Sequence, residues 1–399
     1  MGEFRALFAA QALSVAGDQL ARVALAFLVF DRTGSAALTA LTYALTFLPD
    51  LIGGPLLSGL ADRYRRRELM FLTDLARAAL VGLMAIPGTH VAVLAGLLVM
   101  VQLLASPFNA ARAAVLPAIL EGDRFVVGQG IINITYQMAQ LAGYVVGGVI
   151  VRFTGTSMSL LIDALTFLLS AILVRFGLKD RPVPEAGATE APRKSTLRSL
   201  REGAGLVWHN RKLRVLVTLG CISGFYIVPE GLAVPYADQL GGGAVTAGLL
   251  FAAPAAGTVI GMLILTRLVP PNVRANLLGV LAVASSAMLI GSATSPGLVV
   301  TIVLFGLSGA AAAHQTVVAA TFVQTVPDAQ RGQAFGLAHT SIRVSQGLGV
   351  VVAGAVAEGW APSTVVAIAG ALGTLAALVA ALRWHRVRAE RVSPVDLAH

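Results

Sequence analysis

The chain has 399 residues, of which 56% are hydrophobic and only 12% charged, with a mean hydropathy of +0.80 and a formal net charge of +9. Soluble domains carry about 25% charged residues, so this composition excludes a water-soluble protein. A spanning helix takes roughly 20 residues plus a short turn, which leaves room for about a dozen spans and no large soluble domain. The excess of cations is not a nucleic-acid signature, because the arginines gather in short polar breaks between apolar runs, where the positive-inside rule puts them. One cysteine, Cys221, excludes an internal disulfide framework and any cysteine-based metal cluster.

The first apolar run, residues 6–30, carries Asp18 and Arg22 and lacks a small-residue cleavage site, so it reads as a first span rather than a removable leader. Further spans are predicted at 36–58, 69–88, 91–112, 126–151 and 157–176. A second set is predicted at 213–237, 244–266, 275–293, 297–321, 335–358 and 362–382. The long polar break between the sets holds Pro182, Pro184 and Pro192. It divides the chain into a bundle over 1–178, a linker over 179–212 and a second bundle with a short tail over 213–399. Within the linker, Ser195 either caps a short amphipathic helix through Trp208 or belongs to irregular chain. The expected architecture is all-α and integral to the membrane: twelve transmembrane helices in two pseudo-symmetric six-helix bundles.

Assigning alternate breaks to opposite sides collects Arg63, Arg65, Arg66, Arg67, Arg112, Arg124, Arg267, Arg274, Arg331 and the tail arginines on one face. Little beyond Arg32 and Arg152 is left on the other. Both termini are therefore expected in the cytoplasm. A shift of 206 residues places Gly130 on Gly336, Gln140 on Gln346, Gly143 on Gly349 and Gly148 on Gly354. With six spans on each side of the linker, this supports duplicated bundles related by an axis along the membrane normal, an architecture that binds substrate between its halves.

The break after the second span reads Ser58-Gly59-Leu60-Ala61-Asp62-Arg63-Tyr64-Arg65-Arg66-Arg67. It resembles the loop motif of the major facilitator superfamily, G-x-L-A-D-R-x-G-R-R, with Ser58 and Arg65 where the family carries glycine. A carboxylate such as Asp62 at the positive end of a neighbouring helix contributes roughly 0.3–2 kcal/mol. The resemblance implies that Asp62, Arg63, Arg66 and Arg67 form a cytoplasmic latch, partnered by the start of span eleven after Pro327-Asp328-Ala329-Gln330-Arg331-Gly332. Asp74 and Arg77 in span three are assigned to the same latch. Gly143-Tyr144-Val145-Val146-Gly147-Gly148 resembles the G-P-x-x-G-G end of a motif in proton-coupled exporters, with Tyr144 for the proline; a generic small-residue helix contact at Gly143, Gly147 and Gly148 is the other reading. Gly17-Asp18-Gln19 with Arg22, Thr73-Asp74-Leu75-Ala76-Arg77, Leu116-Pro117, Asp163-Ala164 and Val326-Pro327 are similar to the branch that holds macrolide efflux pumps and the enterobactin exporter.

An ionisable residue at the centre of a span costs roughly 2.5–3.5 kcal/mol on insertion scales, so each one faces protein or water. Asp18 and Arg22 lie four apart on one helical face and are expected to pair, either as a proton or substrate site or as a structural ion pair. Asp50 lies twelve residues before Asp62, about 18 Å along a helix, and is either a second candidate for carrying a proton or a water-exposed carboxylate at the cavity wall. Glu230 either reads a cationic substrate, carries a proton or makes a gate contact, and Arg343 balances a carboxylate or an anionic group. Asp163 is placed near the outer end of span six, within reach of water. His314 and His339 read as hydrogen-bonded structure or as titrating groups. Tyr43, Phe47, Phe108, Tyr136, Tyr226 and Phe251 are candidates to line an amphipathic cavity.

No metal-ligand spacing and no Walker-type glycine loop occurs in the sequence. The resemblance implies a non-enzymatic, monomeric transporter of the bacterial inner membrane. It would export an amphipathic drug, macrolide-like compound or siderophore by alternating access, driven by protons and without a bound cofactor. A lipid or lysolipid flippase and a non-transporting membrane sensor or scaffold are the alternatives.

Overall fold

In lipid every backbone N–H and C=O must find its partner within the chain, which leaves helices as the economical form for long apolar stretches. The computed structural model describes residues 2–47, 57, 60–120, 123–181, 205, 207–326 and 330–389. Among these, every regular element is helical. The first part of the chain forms α1 (Gly2–Thr33), α2 (Ala36–Ala44), α3 (Leu60–Arg63), α4 (Arg66–Met84), α5 (Val91–Ile119) and α6 (Asp123–Gly177). Then follow α7 (Arg211–Cys221), α8 (Ser223–Tyr226), α9 (Val228–Gly231), α10 (Ala233–Gln239) and α11 (Ala244–Arg267). The last part holds α12 (Pro271–Ala287), α13 (Leu298–Ala312), α14 (His314–Thr325), α15 (Arg331–Val356) and α16 (Pro362–Ala389). Eight stretches among the described residues are long and apolar enough to cross a membrane.

The punctuation follows local chemistry. Gly34 takes a positive φ of 62° after α1, and the Ser35 hydroxyl then accepts from the Leu38 N–H at 3.0 Å to cap α2. The expected break between spans five and six is a single residue inside α6. Gly155, at φ 80° and ψ 173°, turns the chain where a side chain would be strained, and helix resumes on both sides. Span seven is not one rod. It is broken at Ile222, Ile227 and Leu232 into α7 to α10, with Pro229 and Pro235 removing donors from the ladder. Span nine tightens into a 3₁₀ turn over Met288–Thr294, and span ten is interrupted at Ala313 between α13 and α14.

By proximity the chain divides into two compact units. One holds Met1–Arg193 and Ala233–Ala252; the other holds Lys194–Leu232 and Ala253–His399. The first unit has a core of Leu7, Ala10, Met70, Phe108, Ala111 and Val174. The second packs Leu213, Leu216, Leu219, Leu278, Phe322 and Ala377 around Trp384, whose indole N–H donates to the Ala275 carbonyl at 3.0 Å. Large apolar side chains also face outward, Phe153 and Phe176 among them at 82% and 84% exposure. Apolar surface on this scale needs lipid around it.

Several sequence expectations fall outside the described residues: Asp50, the side chains of Asp62, Arg124 and Arg331, residues 327–329, the linker with Ser195, and the tail beyond 389.

Candidate functional site

One face of α1 is polar. Gln11, Ser14, Asp18 and Arg22 recur at three- and four-residue spacing and so share a side of the helix. Facing it, α4 contributes Arg77, whose Nη2 donates to both oxygens of Asp18 at 3.1 Å. Its Nη1 reaches the Ser14 hydroxyl at 3.5 Å and lies 3.6 Å from the Asp74 carboxylate one turn earlier on α4. The guanidinium also sits 4.0 Å from the centre of the Phe167 ring. Asp74 is fully buried and receives the Ser170 hydroxyl at 2.5 Å, while Arg77 is 3% exposed. One guanidinium is thus held by two carboxylates, a hydroxyl and an aromatic face. Removing one partner of such a buried set costs about 3–5 kcal/mol, because the remaining charge is stranded.

The third carboxylate of the site is Asp163 on α6, only 1% exposed. One of its oxygens accepts from the Thr166 hydroxyl at 3.2 Å, and the other, Oδ2, finds no hydrogen-bond partner among the described residues. It approaches α1 where Gly17 has no side chain: a Cβ there would collide with the Asp163 carboxylate and the Thr166 hydroxyl. On another side of α1, a Cβ at Gly143 would stand 2.6 Å from the Ala16 carbonyl and one at Gly147 3.1 Å from Leu20 Cα. Small residues therefore press α1 between the two arms of α6, and Asp18 lies in the middle of the gripped segment.

Asp18, Arg22, Tyr43, Thr46, Gln102 and Asp163 line a small cavity of about 20 Å³, room for about one water, within the first unit. An aromatic cluster adjoins it. Tyr43 lies 5.9 Å from Phe251 and 5.3 Å from Phe47, and Tyr144 stacks on Phe251 at 5.3 Å with 20° between the planes. Asp18, Asp74 and Asp163 against Arg22 and Arg77 leave one carboxylate in excess.

Several sequence expectations are corrected by this arrangement. Asp18 pairs with Arg77 rather than Arg22, because Arg77 approaches from another helix and spans both carboxylate oxygens; Arg22 keeps its place on the cavity wall, with Nε unpartnered among the described residues. Asp74 and Arg77 do not join the arginine loop. Their partners are Asp18, Ser14 and Ser170. Asp163 does not reach water. Within its own unit the loop makes these contacts: Arg65 and Arg67 meet Asp180 at 2.8 and 3.3 Å, Arg66 donates to the Ala114 carbonyl at 2.9 Å, and Arg63 is exposed. Beside them Arg181 grips Glu3 at 2.9 and 3.1 Å.

Gly148 contacts the 244–252 stretch, where a Cβ would stand 2.6 Å from the Ala244 carbonyl. In the second unit, Glu230 and Arg343 are half-buried and neither lacks a partner. His314 is fully buried with Nδ1 3.0 Å from the Ala311 carbonyl, and Gln315 donates to the Tyr226 hydroxyl at 2.9 Å. Phe108 lies in the core rather than on the cavity, and Tyr136 is exposed.

Long apolar helices, an outward apolar surface and an ionic cluster inside the helix bundle define a multi-pass membrane protein. The profile of the Major Facilitator Superfamily matches residues 7–320, and the chain belongs to that superfamily of membrane transporters. It is 27% identical over 405 residues to YvqJ, an uncharacterized MFS-type transporter of Bacillus subtilis (strain 168), covering 97% of this chain and 94% of the relative. Macrolide efflux protein A of Streptococcus pyogenes is 23% identical over 270 residues, 66% of each chain. The multidrug efflux pump Tap of Mycobacterium tuberculosis (strain ATCC 25618 / H37Rv) is 29% identical over 237 residues, 56% of this chain and 55% of the pump. The crystal structure of the nucleoside transporter NupG shares the fold, with a TM-score of 0.75 at 16% identity over 96% of this chain and 99% of that one.

Proposed function

We propose that this transporter is a proton-coupled exporter of amphipathic small molecules, working by alternating access in a bacterial cytoplasmic membrane with both termini inside. The observation that carries the reading is the excess carboxylate: three acids share one buried site with two guanidiniums, and Asp163 keeps an oxygen without a partner among the described residues. A proton taken up at Asp18 or Asp163 neutralises that excess. Protonation of Asp18 also removes the charge that holds Arg77 across the gap from α4 to α1, and Arg77 keeps Asp74 as its counter-charge. The aromatic cluster beside the cavity suits an apolar body, and the surplus negative charge favours a substrate with one positive group. Efflux proteins among the relatives support the direction of transport. The energy source in this reading is the proton gradient, with no bound cofactor.

The test is flux in proteoliposomes under an imposed pH gradient, with a cationic amphipathic dye as probe and Asp18→Asn and Asp163→Asn beside the wild type. The expected result is gradient-driven accumulation by the wild type and its loss in at least one variant. If both variants accumulate dye as the wild type does, the coupling assignment is wrong. Flux indifferent to the gradient means facilitated diffusion, and translocation of labelled lipid in its place means a flippase.

A further inference from the structure

The second unit has its own arginine cluster, drawn from the ends of two helices. An open cavity of about 640 Å³ is lined by Trp208, Arg211, Arg214, Val215, Leu337, Arg383 and Arg386, with no carboxylate among its described lining residues. Arg211 and Arg214 stand three apart at the start of α7, and Arg383 and Arg386 three apart near the end of α16. Each pair thus projects from one face of its helix. Trp384, between the second pair, is buried and fixed by its hydrogen bond to the Ala275 carbonyl, so the end of α16 holds its two arginines in place. The Arg214 guanidinium lies 6.0 Å from the ring centre of Trp208, which is 73% exposed.

The positive-inside rule accounts for cations at this end of the bundle but not for their convergence on one cavity. Here the convergent cations share their cavity with an apolar floor and an outward-facing indole, the side chain that settles at the headgroup level of a bilayer. Guanidiniums match phosphate oxygens in geometry as well as charge.

We propose that this cavity binds the phosphate of an anionic phospholipid. The arginines engage the headgroup, Trp208 lies at the glycerol level, and the acyl chains follow Val217 and Leu337. A membrane offers anionic headgroups at high local concentration to basic groups at its surface, and the apolar floor has no role toward a small soluble anion.

The experiment titrates the purified full-length protein, in a neutral detergent, with phosphatidylglycerol, phosphatidylcholine or inorganic phosphate, and reads bound lipid by native mass spectrometry. Phosphatidylglycerol is expected to bind in preference to phosphatidylcholine and to resist displacement by inorganic phosphate. Each surface arginine contributes on the order of fivefold to affinity for anionic lipid, so R383Q/R386Q should weaken binding by about thirtyfold. The R383K/R386K variant, which keeps the charge, should retain most of it. Should the glutamine pair fail to fold, Arg214→Gln alone is read, with about a fivefold loss expected. Equal binding of the two lipids, unchanged binding in the folded glutamine variants, or displacement by inorganic phosphate would each overturn the proposal.

Discussion

Arg77 and Arg65 lie twelve residues apart on α4 and the turn before it, and each faces a carboxylate. Arg77 is buried, donates from Nη2 to both oxygens of Asp18, and lies close to Asp74 and over Phe167. The Arg65–Asp180 pair is 52% and 34% exposed, and its partners have water as an alternative. The same two functional groups therefore do different things. The inner pair determines which helices can lie beside each other, whereas the outer one trims the surface.

Substitutions that remove one charge at a time make this difference measurable. Arg77→Met should have the largest effect, about 3–5 kcal/mol of lost stability, because Asp18 and Asp74 are left without their shared cation; reversible unfolding in mixed micelles reads it. Loss under 1 kcal/mol would mean that water already reaches the inner pair. Next comes Gly143→Leu, which adds bulk between α6 and the Ala16 backbone and should cost about 1–3 kcal/mol. If it is tolerated, α1 is not gripped as tightly as the contacts indicate. Trp384→Phe removes one hydrogen bond to the Ala275 carbonyl and should cost about 0.5–1.5 kcal/mol by the same assay. Arg65→Gln should have the smallest effect, about 0–1 kcal/mol, and that remainder should vanish in high salt. A large, salt-insensitive loss at Arg65 would erase the contrast with Arg77.

Much of the fold is readable from local signals. Gly34 and Ser35 mark the end of one helix and the cap of the next, and the polar break around Gly155 marks a reversal. Two of the three breaks in span seven, at Ile227 and Leu232, lie near Pro229 and Pro235, which argue against a straight rod. The charged site is only half legible. Spacing along α1 places Asp18 and Arg22 on one face, and the i, i+4 rule then proposes the partner nearest in sequence. It is silent about helices that arrive from elsewhere, so it cannot find Arg77 as the partner of Asp18. A signal for the third carboxylate was present: Ser159, Asp163, Thr166 and Ser170 recur at four, three and four residues, a polar stripe on an apolar helix. Such a stripe has to face protein or water, and reading it as a unit places Asp163 inside. The role of Phe167 beneath a guanidinium carries no sequence signal, because a phenylalanine in a membrane helix is unremarkable until something charged is laid over it.

The turn at Gly155 makes the two arms of α6 a hairpin, and α1 runs between them like a blade in a closed clip. One arm meets it at Ala16 and Leu20, the other at Gly17. A helix gripped on both sides has little freedom to rotate about its axis, so Asp18 cannot exchange one partner for another by turning with its backbone. Any message that begins at this carboxylate must leave through side chains, by a proton arriving or a guanidinium letting go, while the main chain around it keeps still.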